Sequence, residues 1–201
     1  MALFIISGSS QSGKTTLLNL LLKEKDVVRV ITSTSRKPRP GEKDKIDFYF
    51  LDENAFNDKS KFVETAVVHS NCYGTLKKEL KDKLKTHKKV LWNIDVQGAK
   101  NILENYKDIY KDTTAIFLTT EKLSTLIGRI KLRNDPNFKK RIETIKKELK
   151  YIPLFNYLIN TSISPEESLE QIKAIIFNNK KKLKEVEEFT KNFEVDKFLS
   201  S

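Results

Sequence analysis

Residues 2–22 are ALFIISGSSQSGKTTLLNLLL, an apolar run followed by a glycine-containing turn and a leucine-rich segment. The apolar run from Ala2 to Ser7 predicts a short buried strand, and the residues from Thr16 to Leu22 predict a helix. Between them, GSSQSGKT matches the pattern G-x-x-x-x-G-K-[ST]. That pattern is typical of a phosphate-binding loop (P-loop) when it connects a strand to a helix.

The residues of this loop suit a nucleoside triphosphate with Mg²⁺. Gly8 and Gly13 allow a tight turn in which successive backbone N–H groups point into one concavity. The helix N-terminus adds a partial positive charge. We expect Lys14 to reach the outer phosphates and the Thr15 hydroxyl to bind Mg²⁺. The predicted nucleotide-binding set is Gly8, Ser9, Ser10, Gln11, Ser12, Gly13, Lys14, Thr15 and Thr16.

The composition of the chain limits its class and its compartment. Its 201 residues suit one core domain with a smaller inserted lobe. The single cysteine, Cys72, excludes an internal disulfide and favours a reducing compartment. No stretch approaches the roughly 18–20 apolar residues of a membrane span. We therefore expect a cytoplasmic protein without a membrane partner.

The net charge of +11, from 38 Lys and Arg against 27 Asp and Glu, leaves two interpretations. A basic chain can bind nucleic acid. Here the lysines lie mainly on predicted helix faces and are not interleaved with aromatic residues. The pattern favours solvated surfaces, with no specific nucleic-acid site.

Strands and helices alternate through most of the chain, which predicts an α/β fold with a parallel sheet covered by helices on both faces. This core is expected in residues 1–31 and 76–178. Residues 32–75 predict a small β-rich inserted lobe, with a loop at 32–42 and a turn at 71–74. Residues 179–201 predict a charged helix and tail, whose apolar residues could pack on the body or on a partner.

Several motifs follow the P-loop: TSRKPRPGE at 34–42, FVE at 62–64, YGT at 73–75 and NIDVQG at 93–98. Together with the loop, they closely resemble the guanylate kinase family, from about Leu3 to Asn178. The TSRKPRPGE string and the YGT step are more discriminating than the P-loop. The resemblance implies a P-loop core, a GMP-binding lobe at 32–75 and a short helical lid at 133–141. It also implies Mg²⁺-dependent transfer of the ATP γ-phosphate to GMP or dGMP.

The resemblance also implies which residues bind the nucleotide that accepts the phosphate. The phosphate of GMP is expected to bind Arg36, Arg39 and Tyr73. The guanine base is expected to bind Thr32, Glu64, Thr75 and Asp95. A carboxylate at Glu64 can accept hydrogen bonds from the guanine N1–H and exocyclic amine, a pair of donors that adenine does not present.

On the side of the phosphate donor, Arg129, Arg133 and Arg141 match the family's lid-side arginines. With Lys14 they form the expected catalytic set. In-line phosphoryl transfer needs positioning and positive charge rather than a side-chain nucleophile. Asn160 matches a family position near the adenine of ATP.

The chain departs from the family pattern at a few positions. Asn93 occupies a position where the family usually has an acid. Phe48 occupies the position of an expected tyrosine, and the neighbouring Tyr49 should point to the opposite side of its strand. Cys72 replaces a common aromatic residue, and the lid between Arg133 and Arg141 is shorter than usual.

Three functions compete on these observations. An active enzyme is favoured by the intact Gly8, Gly13, Lys14 and Thr15, because guanylate-kinase-like binding modules that have lost catalysis tend to lose this loop. A kinase of another small phosphate, such as a ribose bisphosphate, is disfavoured by Glu64, because a sugar phosphate has no guanine edge for this carboxylate to bind. The sequence does not choose between a monomer and a homodimer.

Overall fold

The computed structural model describes residues 2–68, 70–106, 112–132 and 138–201. Its strands are β1 (Ala2–Gly8), β2 (Val27–Arg29), β3 (Ser33–Thr34), β4 (Tyr49–Phe50), β5 (Phe62–Val68), β6 (Asn71–Leu76), β7 (Lys89–Asn93), β8 (Thr113–Thr119) and β9 (Tyr157–Asn160). Its α-helices are α1 (Lys14–Leu21), α2 (Lys77–Thr86), α3 (Val96–Asn105), α4 (Leu123–Lys131), α5 (Phe138–Glu148), α6 (Pro165–Ile176), α7 (Lys180–Asn192) and α8 (Val195–Leu199). Short 3₁₀ helices span Glu53–Phe56, Lys59–Lys61 and Leu149–Leu154.

The strands form two sheets. The larger is a parallel five-stranded sheet flanked by helices, in the order β2-β7-β1-β8-β9. In its register, Val28 lies opposite Val90 and Phe117 opposite Leu158. The smaller sheet has four strands in the order β4-β3-β6-β5 and mixes parallel and antiparallel pairs. This arrangement confirms the predicted α/β fold.

The chain folds as two compact units. The first comprises Met1–Ile5 and Asp26–Thr113 and contains the four-stranded sheet, α2 and α3. The second comprises Ile6–Lys25 and Thr114–Ser201 and contains the P-loop, α1, β8, β9 and α4 to α8. The division into core, GMP-binding lobe, lid and tail stays a prediction. Of the predicted lid, residues 133–137 lie outside the described residues.

The core is built from strands that contain continuous apolar runs. In β7, Val90, Leu91 and Trp92 are fully buried, and in β8 the run from Ala115 to Leu118 is fully buried. Strands of a parallel sheet covered on both faces need apolar side chains on both sides. Burial of both faces of the sheet therefore explains the continuous apolar runs from which these strands were predicted.

The predicted turn at 71–74 is wrong, because Asn71–Leu76 forms β6, an antiparallel partner of β5. The chain reverses before it, where Ser70 has a φ of 64°. Gly74 suggested a turn, but it allows close approach of the two strands. A Cβ at Gly74 would lie 2.8 Å from Cδ1 of Phe62 and 2.9 Å from the carbonyl oxygen of Glu64.

Smaller differences concern the ends of elements. The predicted loop at 32–42 contains the two-residue strand β3, which pairs with β6. Helix α5 ends at Glu148, before Pro153, which lies inside the following 3₁₀ helix. Within the described parts of the chain, no helix has the length and apolarity needed to cross a membrane.

Candidate active site

Two glycines with positive φ shape the P-loop in the second unit. Gly8 ends β1 at a φ of 147°, and a Cβ there would lie 2.4 Å from the carbonyl oxygen of Leu118. Gly13 precedes α1 at a φ of 85° and provides no side-chain cap. The N–H groups of the first turn of α1 are therefore directed to solvent or to a ligand.

Polar side chains of the loop are buried around this turn. The hydroxyls of Ser7, Ser9 and Ser12 have no hydrogen-bond partner among the described residues. The Lys14 ammonium donates to the carbonyl of Gly8 and, at 3.2 Å, to that of Ser9. Buried hydroxyls are rarely left unpaired in proteins. These hydroxyls lie close in the chain to the N-terminus of α1, the kind of position where phosphate oxygens bind.

Two of the three predicted arginines contact this loop. Arg129, from the last turn of α4, donates to the carbonyl of Gln11 at 3.3 Å and to the hydroxyl and carbonyl of Thr161. Burial lowers the pKa of Arg129, but an arginine keeps its charge at neutral pH. Arg141, from α5, donates to the hydroxyl of Ser10 at 3.0 Å. The structure thus brings two of the expected cations to the P-loop.

Asn160 ends β9 and is fixed by its neighbours. Its Nδ2 donates to Oε1 of Glu121 at 2.6 Å, and its Oδ1 accepts from the amide of Ser162 at 2.8 Å. Glu121 and Thr161 were not among the predicted site residues. No motif marks them, although each follows the carboxyl end of a parallel strand, where ligands bind in α/β folds. Arg133 lies outside the described residues.

In the first unit, Glu64 is buried and held by its neighbour on β6. Its side chain is 5% exposed, and Oε1 accepts a hydrogen bond from the Thr75 hydroxyl at 2.7 Å. The Thr75 hydroxyl in turn accepts one from Nε1 of Trp92 at 2.8 Å. Oε2 of Glu64 has no partner among the described residues. A Cβ on Gly98 would lie 2.9 Å from this oxygen, so only glycine allows the carboxylate to pack this closely against α3.

The surroundings of Glu64 change its acidity. Burial raises the pKa of Glu64 to about 7, the hydrogen bond from Thr75 lowers that pKa, and the charge of Asp95 raises it. Near neutral pH, a proton and a ligand with hydrogen-bond donors therefore compete for this carboxylate. Trp92 and Gly98 were not predicted, because their part in the site depends on the packing of β7 and α3.

Asp95 has a structural contact as well as an expected role in binding. Its Oδ1 accepts from the amides of Gln97 at 2.8 Å and Gly98 at 3.1 Å, which caps the N-terminus of α3. Two residues earlier, Oδ1 of Asn93 is buried without a hydrogen-bond partner among the described residues. The end of β7 thus places one acid and one buried amide oxygen close together in the chain.

The loop at 32–42 is organised by Glu42. Nη2 of Arg36 lies 2.9 Å from both carboxylate oxygens of Glu42, and Nη1 donates to the carbonyl of Lys37 at 2.7 Å. The backbone amide of Arg39 also donates to Glu42, at 2.7 Å. Arg39 is exposed, whereas Arg36 is half-buried. Glu42 therefore fixes Arg36 and leaves the side chain of Arg39 in solvent.

Tyr49 does not replace the tyrosine that is absent at Phe48. The Phe48 ring lies 6.4 Å from that of Tyr73 and 5.5 Å from the Arg36 guanidinium, so it packs among the expected phosphate-binding residues. The hydroxyl of Tyr49 instead donates to Oε2 of Glu79 at 3.0 Å. Burial, and after it the hydrogen bond to Glu79 and the charge of that residue, raise the pKa of Tyr49 to about 12. Phe48 provides no hydroxyl for a phosphate.

The remaining predicted residues have simple environments. Thr32 is half-buried, and its carbonyl accepts the Tyr49 amide at 2.9 Å. Thr15 and Thr16 are exposed in the first turn of α1. Across the described ranges, no group of three or more His, Cys, Asp and Glu side chains could hold a metal ion.

A glycine-bounded loop between the first strand of a parallel sheet and an uncapped helix places the chain in the class of P-loop proteins. The family model described as guanylate kinase matches residues 1–179. The chain belongs to the guanylate kinase family.

Individual relatives agree with this assignment. A guanylate kinase of Fusobacterium nucleatum is 35% identical over 187 residues, covering 90% of this chain and 98% of that protein. One of Clostridioides difficile is 32% identical, covering 98% of this chain and 95% of that protein. The crystal structure of guanylate kinase from Anaplasma phagocytophilum has the same fold, with a TM-score of 0.70, 24% identity and coverage of 89% and 85% of the two chains.

Proposed function

We propose that this chain transfers the γ-phosphate of ATP to GMP or dGMP and releases ADP with GDP or dGDP. The supporting observation is the buried Oε2 of Glu64, which has no hydrogen-bond partner among the described residues. Guanine presents N1–H and an exocyclic amine side by side, and a carboxylate can accept from both. A base without this pair of donors leaves the buried charge unpaired, which is costly.

The acceptor nucleotide is proposed to bind residues of the first unit. Glu64, Thr75, Asp95 and Thr32 would bind the base. Arg36, Arg39 and Tyr73 would bind its phosphate. The contact of Arg36 with Glu42 supports this role, because it holds the guanidinium in place before a phosphate arrives. Arg39 is exposed and free to turn toward the ligand.

The donor nucleotide is proposed to bind residues of the second unit. The amides of residues 8–16 and the Lys14 ammonium would surround the phosphates of ATP. Arg129, Arg133 and Arg141 would place positive charge around the migrating phosphoryl group. Arg129 and Arg141 already contact the P-loop. Asn160, held by Glu121, would lie near the adenine.

Mg²⁺ is proposed as the divalent ion, with the Thr15 hydroxyl as its protein ligand. Mg²⁺ keeps most of its water and binds through one or two protein oxygens together with substrate phosphates. The exposed Thr15 beside the P-loop fits that requirement. When bound, the ion neutralises charge on the phosphates.

We further propose a cytoplasmic protein, monomeric or homodimeric, since its single cysteine is a free thiol that suits a reducing compartment. Size-exclusion chromatography with light scattering distinguishes the two oligomeric states.

A coupled assay of ADP release tests the proposed reaction. With MgATP, we expect turnover with GMP and dGMP and none with AMP, UMP or a ribose bisphosphate. Binding of GMP without turnover would instead indicate a binding module that has lost catalysis. The departures from the family pattern at Phe48 and Asn93 are the observations that favour this second function. Absence of both binding and turnover of GMP would refute the proposal.

A further inference from the structure

Residues 180–201, here called the 180–201 segment, lie beyond the part of the chain that the family model matches. The segment contains α7 and α8 and packs on α6 and β9 within the second unit. Val186 is fully buried and Phe198 is 2% exposed. Its apolar residues therefore pack on the body of the chain, which resolves one of the alternatives left by the sequence.

The first anchor of the segment is Thr190, on α7. Its hydroxyl accepts a hydrogen bond from the amide of Leu158 at 2.9 Å and donates to the carbonyl of Val186 at 2.7 Å. Leu158 belongs to β9, the last strand of the large sheet, whose outer edge pairs with no further strand among the described residues. The contact fixes β9 two residues before Asn160.

The second anchor is Ser201, which follows α8. Its hydroxyl accepts from the amide of Leu123 at 2.9 Å and donates to the carbonyl of Phe198 at 2.7 Å. Leu123 is the first residue of α4, and Lys122 before it provides no side-chain cap. Ser201 therefore caps a helix whose own sequence lacks a cap.

An aromatic cluster connects the two anchors. The Phe193 ring lies 5.9 Å from that of Phe189 and 5.3 Å from that of Phe198. These rings line a cavity of about 210 Å³ together with Glu121, Lys122 and Ser201. Glu121 is the residue that holds Asn160. The segment thus lines a cavity together with a residue beside the expected adenine site, and it contacts α4 and β9 directly.

Both anchored elements contribute to the donor side. Helix α4 provides Arg129, which donates to the carbonyl of Gln11 in the P-loop. Strand β9 ends in Asn160 and is followed by Thr161, which accepts hydrogen bonds from Arg129. A shift of either element would move a cation or a base-binding residue relative to the phosphate-binding loop.

We propose that the 180–201 segment positions the ATP-binding residues, with Thr190 and Ser201 as positioning residues that act through β9 and α4. This inference rests on the proposed function in one respect, the identity of the donor as ATP. The residues proposed for GMP belong to the first unit, whereas the segment belongs to the second. Loss of the anchors should therefore weaken binding of ATP and leave binding of GMP unchanged.

The test uses the full chain with Ser201→Ala, Thr190→Val and the double variant. The matched control is Ser200→Ala, because the Ser200 hydroxyl donates only within its own turn, to the carbonyl of Lys197, and is exposed. Isothermal titration calorimetry measures the Kd of MgATP and of GMP separately, and initial rates give the KM of each. A melting curve of each variant records whether it folds.

For the double variant we expect the Kd and KM of ATP to rise about three- to tenfold, the range that loss of one or two hydrogen bonds produces. The Kd and KM of GMP should stay within about 1.5-fold of the wild-type values. The Ser200→Ala control should leave the values of both nucleotides within the same limit. Thr190→Ser retains the hydroxyl and should restore ATP binding. Unchanged ATP binding, or equal weakening of ATP and GMP, would overturn the proposal.

Two further outcomes are separated by this design. If the double variant does not fold, the single Ser201→Ala variant removes only a helix cap, and the same ATP-specific rise is expected, at the lower end of the range. If the wild-type chain binds MgATP but does not phosphorylate GMP, the proposed function fails. The Kd of MgATP still decides the role of the segment.

Discussion

The hydroxyl of Thr75 donates a hydrogen bond to Oε1 of Glu64 at 2.7 Å, and Trp92 donates to the same hydroxyl at 2.8 Å. This chain of contacts holds a buried carboxylate in one orientation. Its second oxygen lies against Gly98, where a Cβ would not fit, and has no hydrogen-bond partner among the described residues. A group held in this way can distinguish ligands by the donors they present.

Glu64→Gln should weaken the binding of GMP and reduce the preference for guanine over adenine. The amide cannot accept two hydrogen bonds in the way that the carboxylate does, and its NH₂ group opposes the guanine donors. We expect kcat/KM for GMP to fall about 10- to 150-fold, since a hydrogen bond to a charged group contributes about 1.5–3 kcal/mol. The ratio of GMP to AMP turnover should fall as well. The coupled assay measures both, with Glu53→Gln on an exposed 3₁₀ helix as control. Unchanged kinetics with both bases would show that guanine is not recognised at Glu64.

The raised pKa of Glu64 predicts how stability depends on pH. The folded protein holds this proton up to about pH 7, whereas the pKa of a solvated glutamate carboxyl is 4.5. Between these values the folded state binds the proton more tightly than the unfolded state. The free energy of unfolding should therefore decrease as the pH rises from about 4.5 to 7, by about 3 kcal/mol from this group.

Urea unfolding of the wild type and of Glu64→Gln at pH 5 and pH 8 measures this effect. The variant has no titrating carboxyl at this position, so its stability relative to the wild type should be higher at pH 8 than at pH 5. The difference between the two proteins removes the contribution of every other titrating group. An equal difference at both pH values contradicts the prediction.

Lys14→Ala should nearly abolish turnover and leave GMP binding intact. The ammonium now donates to carbonyls of the P-loop and is the proposed contact of the outer phosphates of ATP. Loss of one such charge should lower kcat by about 10²–10³-fold. Calorimetry with GMP should give the wild-type Kd, because the proposed GMP residues belong to the other unit. Lys23→Ala, exposed just after α1, is the control. Retention of full activity would remove Lys14 from the mechanism.

The local geometry of the P-loop could be predicted from the sequence, because its strand, loop and helix are consecutive in the chain. Gly8, Gly13 and Lys14 lie where the motif predicts. The predicted turn at 71–74 failed for a non-local reason. The role of Gly74 depends on the approach of Phe62 and Glu64 on β5, twelve and ten residues earlier in the chain, which the local sequence does not specify.

The same distinction separates the predicted site residues from the missed ones. Glu64 and Thr75 were predicted from motifs, but the motifs do not show that one hydroxyl joins them to Trp92. Thr161 contacts Arg129 across 32 residues of sequence. Such partners become visible only when packing brings separate elements together.

Phe48→Tyr should strengthen GMP binding. The Phe48 ring packs beside Arg36 and Tyr73 without providing a donor. An added hydroxyl can donate to the phosphate of GMP, and one hydrogen bond contributes about 0.5–1.5 kcal/mol. We expect the Kd of GMP to fall about two- to tenfold. Phe50→Tyr is the matched control, since Phe50 lies 5.9 Å from the same guanidinium. A Kd that falls equally in both variants would point to a general change in the loop.

Asn93→Asp tests whether this chain is a weakened member of its family. Oδ1 of Asn93 is buried at the end of β7 and has no hydrogen-bond partner among the described residues, so the substitution breaks no hydrogen bond to this oxygen. An acid there adds a negative charge that can hold water on a divalent ion. At pH 8, where Glu64 is ionised, we expect kcat to rise about tenfold, equivalent to about 1.4 kcal/mol. Asn54→Asp, on an exposed 3₁₀ helix, controls for the added charge. A kcat that does not change in Asn93→Asp would show that the reaction proceeds fully without the second acid.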